Sequence, residues 1–346
     1  MLPPQAQRTT TNRLYFDAPR SISVRRESLP PPGLHQATVR TVVSAVSAGT
    51  EMLFYRGQAP SDMALDATLA SLSGACEYPL RYGYACVGIV ERLGAGVEPA
   101  WLGRRVFAFE PHASAFVAPI SSLVPLPETI SDECAALLPN AETATNLVLD
   151  GAPLVGERVV VFGAGIVGLL TTTLLARFPL DRLVVIEPHA ERRAHALRAG
   201  AHEVLAAAGA AQALHDFDLV FELSGNPAAL NNAIDAAGYG ARVVVGSWYG
   251  AKPAALDLGG HYHRNRIQLI GSQVSTIAPG LSGRWDKPRR IAYALNLLAS
   301  ADFSPFITHR WPFADAANAY RLIDQQAPDV LQLLFRYGDS TRESVG

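Results

Sequence analysis

Residues 158–168 read Arg158-Val-Val-Val-Phe-Gly-Ala-Gly-Ile-Val-Gly168, a buried strand followed by a glycine turn and the start of a helix. The glycines at positions 163, 165 and 168 have the G-x-G-x-x-G spacing. Gly163 permits a tight turn, Gly165 lets a pyrophosphate approach the backbone, and Gly168 lets the helix pack closely on the strand. This stretch predicts a dinucleotide-binding fold.

The flanking sequence agrees with that prediction. An apolar helix is predicted over Ile166–Ala176, which places Ile166 and Val167 in its first turn, beside the phosphates of a bound dinucleotide. The next predicted strand, Leu183–Ile186, is followed by Glu187. This acid lies roughly 20 residues beyond the glycines, the distance expected of a carboxylate that binds a ribose 2′-hydroxyl.

The predicted cofactor is NAD, because the negative charge of Glu187 would repel the 2′-phosphate of NADP. Arg192 and Arg193 follow in a helix predicted over Ala190–Arg198, where either side chain could contact adenine or a phosphate. These two arginines leave NADP as the alternative cofactor. In the other interpretation they are solvent-facing charges on that helix.

The composition is that of a globular enzyme. A chain of 346 residues is too long for one ordinary core, so two domains are expected. A net charge of −2 provides no basic field for nucleic acid. The 3 cysteines have no C-x-x-C spacing, so no disulfide or structural-zinc framework is indicated. Without a signal-like apolar start or a run of about 18 apolar residues, we expect a cytoplasmic protein with no membrane partner.

Two kinds of pattern divide the chain. Before Glu157, short β-type runs are separated by proline and glycine turns, which predicts a β-rich domain. From Glu157 onward strands alternate with helices, which predicts a parallel sheet covered on both faces. Helices at Pro288–Ala299 and Ala314–Gln325 and a strand at Val330–Phe335 follow.

With this organisation, the chain resembles the medium-chain dehydrogenase/reductase superfamily at four places. Two match its segments Cys-Gly-Thr-Asp and Gly-His-Glu-x-x-Gly-x-Val, the third is the glycine turn, and the fourth is the return segment into the catalytic domain. These stretches are Ser47–Glu51, Pro79–Val90, Arg158–Gly168, and Phe306–Phe313 followed by Ala317–Ile323. Within the superfamily, Ser44–Glu51 and the pair Trp248-Tyr249 are most similar to the bacteriochlorophyllide-dehydrogenase-like subgroup.

The resemblance implies an α/β fold of two domains. A GroES-like β-rich catalytic domain would comprise residues 1–138 and 288–346, and a doubly wound parallel-sheet (Rossmann) dinucleotide-binding domain would comprise residues 139–287. It also implies a homo-oligomer, a dimer or tetramer, in which the last parallel strands join edge to edge. Ile267–Ser272 is the predicted edge strand, which pairing would protect from solvent.

The zinc ligands of the superfamily have no counterparts here. The positions of its first cysteine and of its histidine are occupied by Ala48 and Tyr84, and the third ligand position falls on Pro139 or Asn140. A lobe of four closely spaced cysteines is also missing between Arg105 and Ala118. Alanine and proline side chains carry no ligand atom, and tyrosine rarely binds zinc. We therefore expect chemistry without zinc or any other metal.

Hydrogen-bond donors must then stabilise the alkoxide that zinc would otherwise bind. Thr50 matches the hydroxyl of the superfamily that touches the substrate oxygen; alternatively, it makes a local bond in a turn. Tyr84 could donate to the alkoxide from the vacated ligand position, or simply fill that space. His112 is the histidine selected as general acid or base, because histidine is the residue type that commonly fills that role in catalysis; the alternative is an ordinary loop histidine. Glu51 matches an acid that could orient Thr50, or is a solvated or salt-bridged carboxylate.

Further cofactor contacts are predicted at the ends of three later strands, where ligands of doubly wound sheets bind. These residues are Ser224 and Gly225, then Gly246, Ser247 and Trp248, then Ser272. The stretch Gly283–Arg290 holds four cations, interpreted as solvated charges before a helix or, alternatively, as contacts for an anionic substrate.

The sequence leaves three functions open. The first is a zinc-independent oxidoreductase that transfers a hydride between NAD(H) and a small-molecule secondary alcohol or ketone. The second is an NADPH-dependent enone or quinone reductase of the same fold, which stabilises an enolate. The third is a catalytically inactive relative that binds nucleotide and serves a partner. The presence of Thr50 argues against the third function.

Overall fold

The structure is a computed structural model that describes residues 9–66, 68–206, 214–325 and 327–338. Its strands are β1 (Thr10–Ala18), β2 (Ser21–Ser28), β3 (Gln36–Ala45), β4 (Cys86–Leu93), β5 (Arg105–Ala108), β6 (Ala115–Pro119), β7 (Val124–Pro125), β8 (Arg158–Phe162), β9 (Arg182–Ile186), β10 (Glu203–Leu205), β11 (Phe217–Glu222), β12 (Ala237–Val245), β13 (Gln268–Gly271), β14 (Ile307–Pro312) and β15 (Gln332–Arg336). Its α-helices are α1 (Ala48–Arg56), α2 (Asp132–Ala135), α3 (Leu138–Gly151), α4 (Ile166–Leu175), α5 (Ala190–Arg198), α6 (Ala229–Ala236), α7 (Lys287–Ala299) and α8 (Ala316–Asp324). None of the helices in these ranges is both long and apolar enough to cross a membrane.

The chain forms two compact units. The first unit runs to Leu137 and takes up the chain again over Asp302–Ala327 and from Gln332 onward. The second unit comprises Leu138–Ala301 and the short segment Pro328–Leu331. The predicted boundary at residue 287 falls at the first residue of α7. The compact second unit instead includes the whole helix, because α7 packs on α3.

The first unit is built on a mixed sheet with the strand order β14-β15-β3-β4-β5-β7, and β6 pairs with the first half of β3, residues 36–40. Most of its strands pair antiparallel, as the short β-type runs of the sequence predict, while β14 and β15 pair in parallel. A cluster around Val39, Val106 and Phe116 forms an apolar core between these strands. Helix α1, which the sequence patterns did not predict, begins directly after β3.

The second unit contains the parallel sheet that the alternating pattern predicts, with the order β10-β9-β8-β11-β12-β13. The sequence-based prediction of an α/β fold is therefore confirmed. Val159–Phe162 of β8 are all buried, as expected for a strand covered on both faces. The strand order reverses between β8 and β11, and ligands of such sheets bind at the carboxyl ends beside this switch point. Strand β13 lies at an edge of the sheet, as predicted.

Candidate functional site

The glycine turn has the geometry that a dinucleotide requires. Gly163 has a φ of +99°, and a Cβ added there would lie 2.8 Å from the carbonyl oxygen of Leu223. A Cβ at Gly168 would lie 2.1 Å from the carbonyl oxygen of Gly163. At Gly165, by contrast, an added Cβ would meet nothing within 4 Å. The first and third glycines are thus needed for the fold of the turn, and the second leaves open space for a ligand.

Helix α4 begins at that open space. Gly165 is its N-cap and provides no side-chain cap, so the first backbone N–H groups of the helix, including those of Ile166 and Val167, have no partner within the helix. These donors and the positive end of the helix dipole favour an anion. The turn and the helix start therefore fit the pyrophosphate of a dinucleotide.

Glu187 follows β9 and is buried, with 3% of its surface exposed. Its Oε2 accepts from Ala164 N at 2.8 Å, within the glycine turn, and its Oε1 accepts from His189 N at 3.0 Å. Each carboxylate oxygen retains a further lone pair for a ribose hydroxyl. The carboxylate thus braces the turn and carries a negative charge beside it.

The two arginines of α5 bind backbone carbonyl groups. Arg192 donates from Nε to the oxygen of Pro328 at 3.3 Å and from Nη2 to that of Val330 at 2.7 Å. Arg193 donates from Nη1 to the carbonyl oxygens of Glu187 and Pro188. These guanidinium groups therefore hold backbone segments in place, and the predicted contact of Arg192 with the cofactor stays a prediction.

The carboxyl ends of β11 and β12 form a polar network around Glu222, which is fully buried. Its Oε1 accepts from the N–H and hydroxyl of Ser224, and its Oε2 accepts from the hydroxyl of Tyr249 at 2.5 Å. Ser247 Oγ accepts from Gly225 N at 2.8 Å. The structure thus brings the predicted residues Ser224, Gly225 and Ser247 together. It also adds Glu222, which the sequence did not single out. Tyr249, which the resemblance places with Trp248 in the nicotinamide-contacting stretch, binds this carboxylate.

Three further residues of this unit are predicted to contact the cofactor, namely Gly246, Trp248 and Ser272, and each has different neighbours. Gly246 lies against Leu147, since an added Cβ would be 2.5 Å from its Cδ2. Trp248 is partly exposed, at 38%. Ser272 donates to Asp150 Oδ2 at 2.6 Å and accepts from Asn146 Nδ2 at 3.0 Å. Helix α3 therefore holds the hydroxyl of Ser272 in place at the end of β13.

Arg290 of α7 is fully buried, so the prediction of solvated charges in this stretch is wrong at that position. Its guanidinium group binds Glu142 Oε1 at 3.0 and 3.1 Å and Asn146 Oδ1 at 2.5 Å. It also donates to the carbonyl oxygens of Val274 and Thr276. Arg290 thereby fixes the loop that follows Ser272.

In the first unit, three hydroxyl groups meet, and we call Ser47, Thr50 and Tyr84 the hydroxyl trio. The hydroxyl of Tyr84 lies 2.5 Å from Ser47 Oγ and donates to Thr50 Oγ1 at 3.2 Å. The structure thus joins the predicted residues Thr50 and Tyr84 and adds Ser47. Burial raises the pKa of Tyr84 to about 12, against the opposing effect of its two hydrogen bonds. The phenol is therefore protonated at neutral pH and is a hydrogen-bond donor.

A second, buried set of side chains is joined to the trio through Ser47, whose N–H donates to Glu51. We call this set the acid–histidine network: Ser44, Glu51, His112, Tyr320 and Tyr337. Glu51 Oε2 lies 3.1 Å from His112 Nε2 and also accepts from the hydroxyl of Tyr320. Ser44 Oγ lies 2.7 Å from both His112 Nδ1 and the Tyr337 hydroxyl. His112 is 1% exposed and Glu51 is not exposed. Glu51 is thus paired and buried rather than solvated.

The residues at the predicted ligand positions do not fit a catalytic zinc. Ala48 opens α1 with a methyl group, and the Tyr84 hydroxyl is engaged within the trio. In the ranges that the structure describes, no group of three or more histidine, cysteine, aspartate or glutamate residues could hold a metal ion. A catalytic zinc site needs about three protein ligands.

One unit has a parallel sheet with a glycine turn that fits a dinucleotide, and the other has a mixed β-sheet that carries a hydroxyl trio. These features define a two-unit protein of the nucleotide-binding class. Residues 167–287 match the zinc-binding dehydrogenase family. Over most of its length the chain is similar to proteins of the medium-chain dehydrogenase/reductase superfamily.

Relatives cover almost the whole chain at low identity. L-threonine 3-dehydrogenase from Anaeromyxobacter is 25% identical over 84% of this chain and 89% of its own length. The 2-desacetyl-2-hydroxyethyl bacteriochlorophyllide A dehydrogenase of Cereibacter sphaeroides is 24% identical over 94% of this chain and 97% of its own. An Escherichia coli alcohol dehydrogenase, solved with NADH, superposes with a TM-score of 0.76 at 18% identity, covering 95% of this chain and 99% of that one.

Proposed function

We propose that this protein is a zinc-independent oxidoreductase that transfers a hydride between NAD(H) and a secondary alcohol or ketone. The observation that carries the proposal is the hydroxyl trio, in which Tyr84 replaces a metal ligand and bonds to Thr50. The NAD(P)-dependent dehydrogenases of the superfamily support the reaction type. The substrate class rests on the site, because relatives named for an amino acid and for a tetrapyrrole are equally distant, at 25% and 24% identity.

The second unit would hold the cofactor through the N–H groups of Gly165, Ile166 and Val167 and through the carboxylate of Glu187. When bound, the nicotinamide ring supplies the hydride acceptor or donor. NAD is proposed over NADP because Glu187 is negative, and because Arg192 and Arg193 already bind carbonyl groups. A 2′-phosphate would then meet the carboxylate of Glu187 and two arginines that already bind carbonyl groups.

The first unit would stabilise the negative charge that develops on the substrate oxygen. The protonated Tyr84 can turn its single O–H from Thr50 Oγ1 to a developing alkoxide, and Thr50 can relay a proton through its hydroxyl. One such donor contributes about 2.7–4 kcal/mol to transition-state stabilisation. A hydroxyethyl group and the corresponding acetyl group are the proposed functional-group pair.

The test is turnover of a panel of secondary alcohols, ketones and enones with NAD(H) and NADP(H), with and without a chelator. We expect NAD(H)-coupled oxidation or reduction that the chelator leaves unchanged, and protein without stoichiometric zinc. Tyr84→Phe should lower kcat by about a hundredfold or more. Chelator-sensitive turnover contradicts zinc independence. NADPH-coupled enone reduction indicates the second function, and nucleotide binding without any turnover indicates the inactive relative.

A further inference from the structure

Glu51 and His112 connect two segments of the first unit that carry zinc ligands in the metal-dependent members of the superfamily. The first segment is Ser47–Glu51, whose start is fixed by the bond from Ser47 N to Glu51 Oε1 at 2.7 Å. The other carboxylate oxygen of Glu51, Oε2, lies 3.1 Å from Nε2 of His112, so Glu51 links the start of this segment to His112. Because Ser47 Oγ also touches Tyr84, the position of Glu51 bears directly on the hydroxyl trio.

The second segment, residues 82–84, lies on the imidazole of His112. A Cβ at Gly83 would be 2.5 Å from His112 Cδ2, so only a glycine allows the backbone this close. Gly83 also has a φ of +102°, which other residues rarely adopt. His112 N donates to the carbonyl oxygen of Tyr82 at 3.4 Å. His112 therefore determines where the backbone before Tyr84 runs.

The same contacts argue against a chemical role for His112. Its side chain is buried, with Ser44 on Nδ1, Glu51 on Nε2 and the ring of Phe335 packed edge-on at 5.2 Å. Ser47 is joined to Glu51 through its peptide N–H and to Tyr84 through its hydroxyl. A peptide N–H does not exchange its proton as an acid or base in catalysis, so the described contacts of Ser47 provide no proton path from the trio to the imidazole.

We propose that the Glu51–His112 pair is a positioning device that takes the structural place of the metal. It ties the start of α1 to residues 82–84 and so keeps Ser47 and Tyr84 in hydrogen-bonding range. His112 is a positioning residue and does not transfer a proton to substrate. The chemical role of the trio rests on the proposed function, whereas the connection between the two segments does not.

Two substitutions of His112 separate positioning from chemistry. His112→Gln places an amide near the position of Nε2, within reach of Glu51. His112→Asn places an amide near the position of Nδ1, within reach of Ser44 but not of Glu51. Neither amide is an acid or base at neutral pH, so a general acid–base role would be lost equally in both variants.

We expect His112→Gln to keep kcat within about threefold of the wild type. His112→Asn should lower kcat by about tenfold to a hundredfold with little change in KM, because small displacements of catalytic groups have effects of this size. Amide exchange followed by mass spectrometry should rise in peptides covering residues 44–56 and 78–86 in His112→Asn only. NADH affinity should be unchanged in both variants, since the second unit is not altered.

Equal losses of kcat in both variants would show that the imidazole itself acts on a proton. Unchanged kcat and exchange in His112→Asn would show that the pair positions nothing. Either result overturns the inference. If His112→Asn does not fold, Glu51→Asp replaces it, since the shorter carboxylate keeps its charge but withdraws from His112. If the wild type turns over no substrate, the proposed function fails, and the exchange measurements still decide the inference.

Discussion

The glycine turn of the second unit is built from backbone atoms, whereas the hydroxyl trio of the first unit is built from side chains. The turn consists of backbone, and its shape depends on the absence of side chains at Gly163 and Gly168. The trio consists of side-chain oxygens on Ser47, Thr50 and Tyr84. The trio in turn rests on the buried side chains of the acid–histidine network.

This difference determines which substitutions each site tolerates. A backbone site fails when an atom is added, because a new methyl group occupies the space of a carbonyl or a phosphate. A side-chain site fails when a single polar atom is removed, because a buried partner is then left unsatisfied. The two units should therefore respond to opposite kinds of change.

Gly168→Ala should have the largest effect. The added Cβ would lie 2.1 Å from the carbonyl oxygen of Gly163, and backbone cannot yield as a flexible side chain does. We expect the free energy of unfolding to fall by about 3 kcal/mol, and NADH binding to be lost. Urea unfolding and NADH fluorescence measure the two effects. A variant of wild-type stability would show that this turn is not fixed by close backbone contact.

Tyr320→Phe should have the second largest effect and lower the free energy of unfolding by about 2 kcal/mol. The substitution removes one hydroxyl that donates to the buried Glu51 carboxylate and leaves the ring contacts in place. Tyr293→Phe is the control, because that tyrosine is 41% exposed. Equal stability of the two variants would contradict the dependence of the first unit on single polar atoms.

Gly165→Ala should separate binding from stability. Since a Cβ at this position meets nothing within 4 Å, the free energy of unfolding should change by less than about 0.5 kcal/mol. The dissociation constant for NADH should nevertheless rise at least about tenfold, because the methyl group occupies the approach of the pyrophosphate. Gly259→Ala, at another open glycine, is the control. Unchanged NADH affinity in Gly165→Ala would place the cofactor elsewhere.

The smallest effect concerns pH and Glu110, in the loop that leads to His112. Burial raises the pKa of Glu110 from 4.5 to about 7, against the opposing charges of Arg81 and Arg13. Between these two values the folded protein binds more protons than the unfolded chain, so this group makes stability fall as pH rises. Glu110→Gln should remove that part of the slope. Parallel stability–pH curves for the variant and the wild type would refute the assignment.

How much of each site the sequence reveals follows from the same comparison. The glycine spacing, the helix start and Glu187 lie within one stretch of chain, so their association can be inferred directly. The edge position of β13 also follows from the order of the elements. Glu222 could have been singled out as an acid that ends a buried strand, although its bond to Tyr249 depends on a turn with no sequence motif.

The network in the first unit has no such local signal. Glu51 meets His112 and Tyr320, which lie far away in the sequence and reach it only through the folded sheet. Choosing His112 for its residue type therefore could not reveal that it is buried and paired with Glu51. Arg290 did leave a signal, because Arg290, Ala294 and Leu297 recur with helical spacing and are all buried.

The attachment of Arg192 to Pro328 and Val330 has a consequence for anyone wishing to re-engineer coenzyme preference. Its guanidinium group secures the segment that leads into β15, so recruiting it to a 2′-phosphate would release that segment. If NAD is the coenzyme, as proposed, a switch to the phosphorylated coenzyme would require a newly introduced cation together with the neutralisation of Glu187.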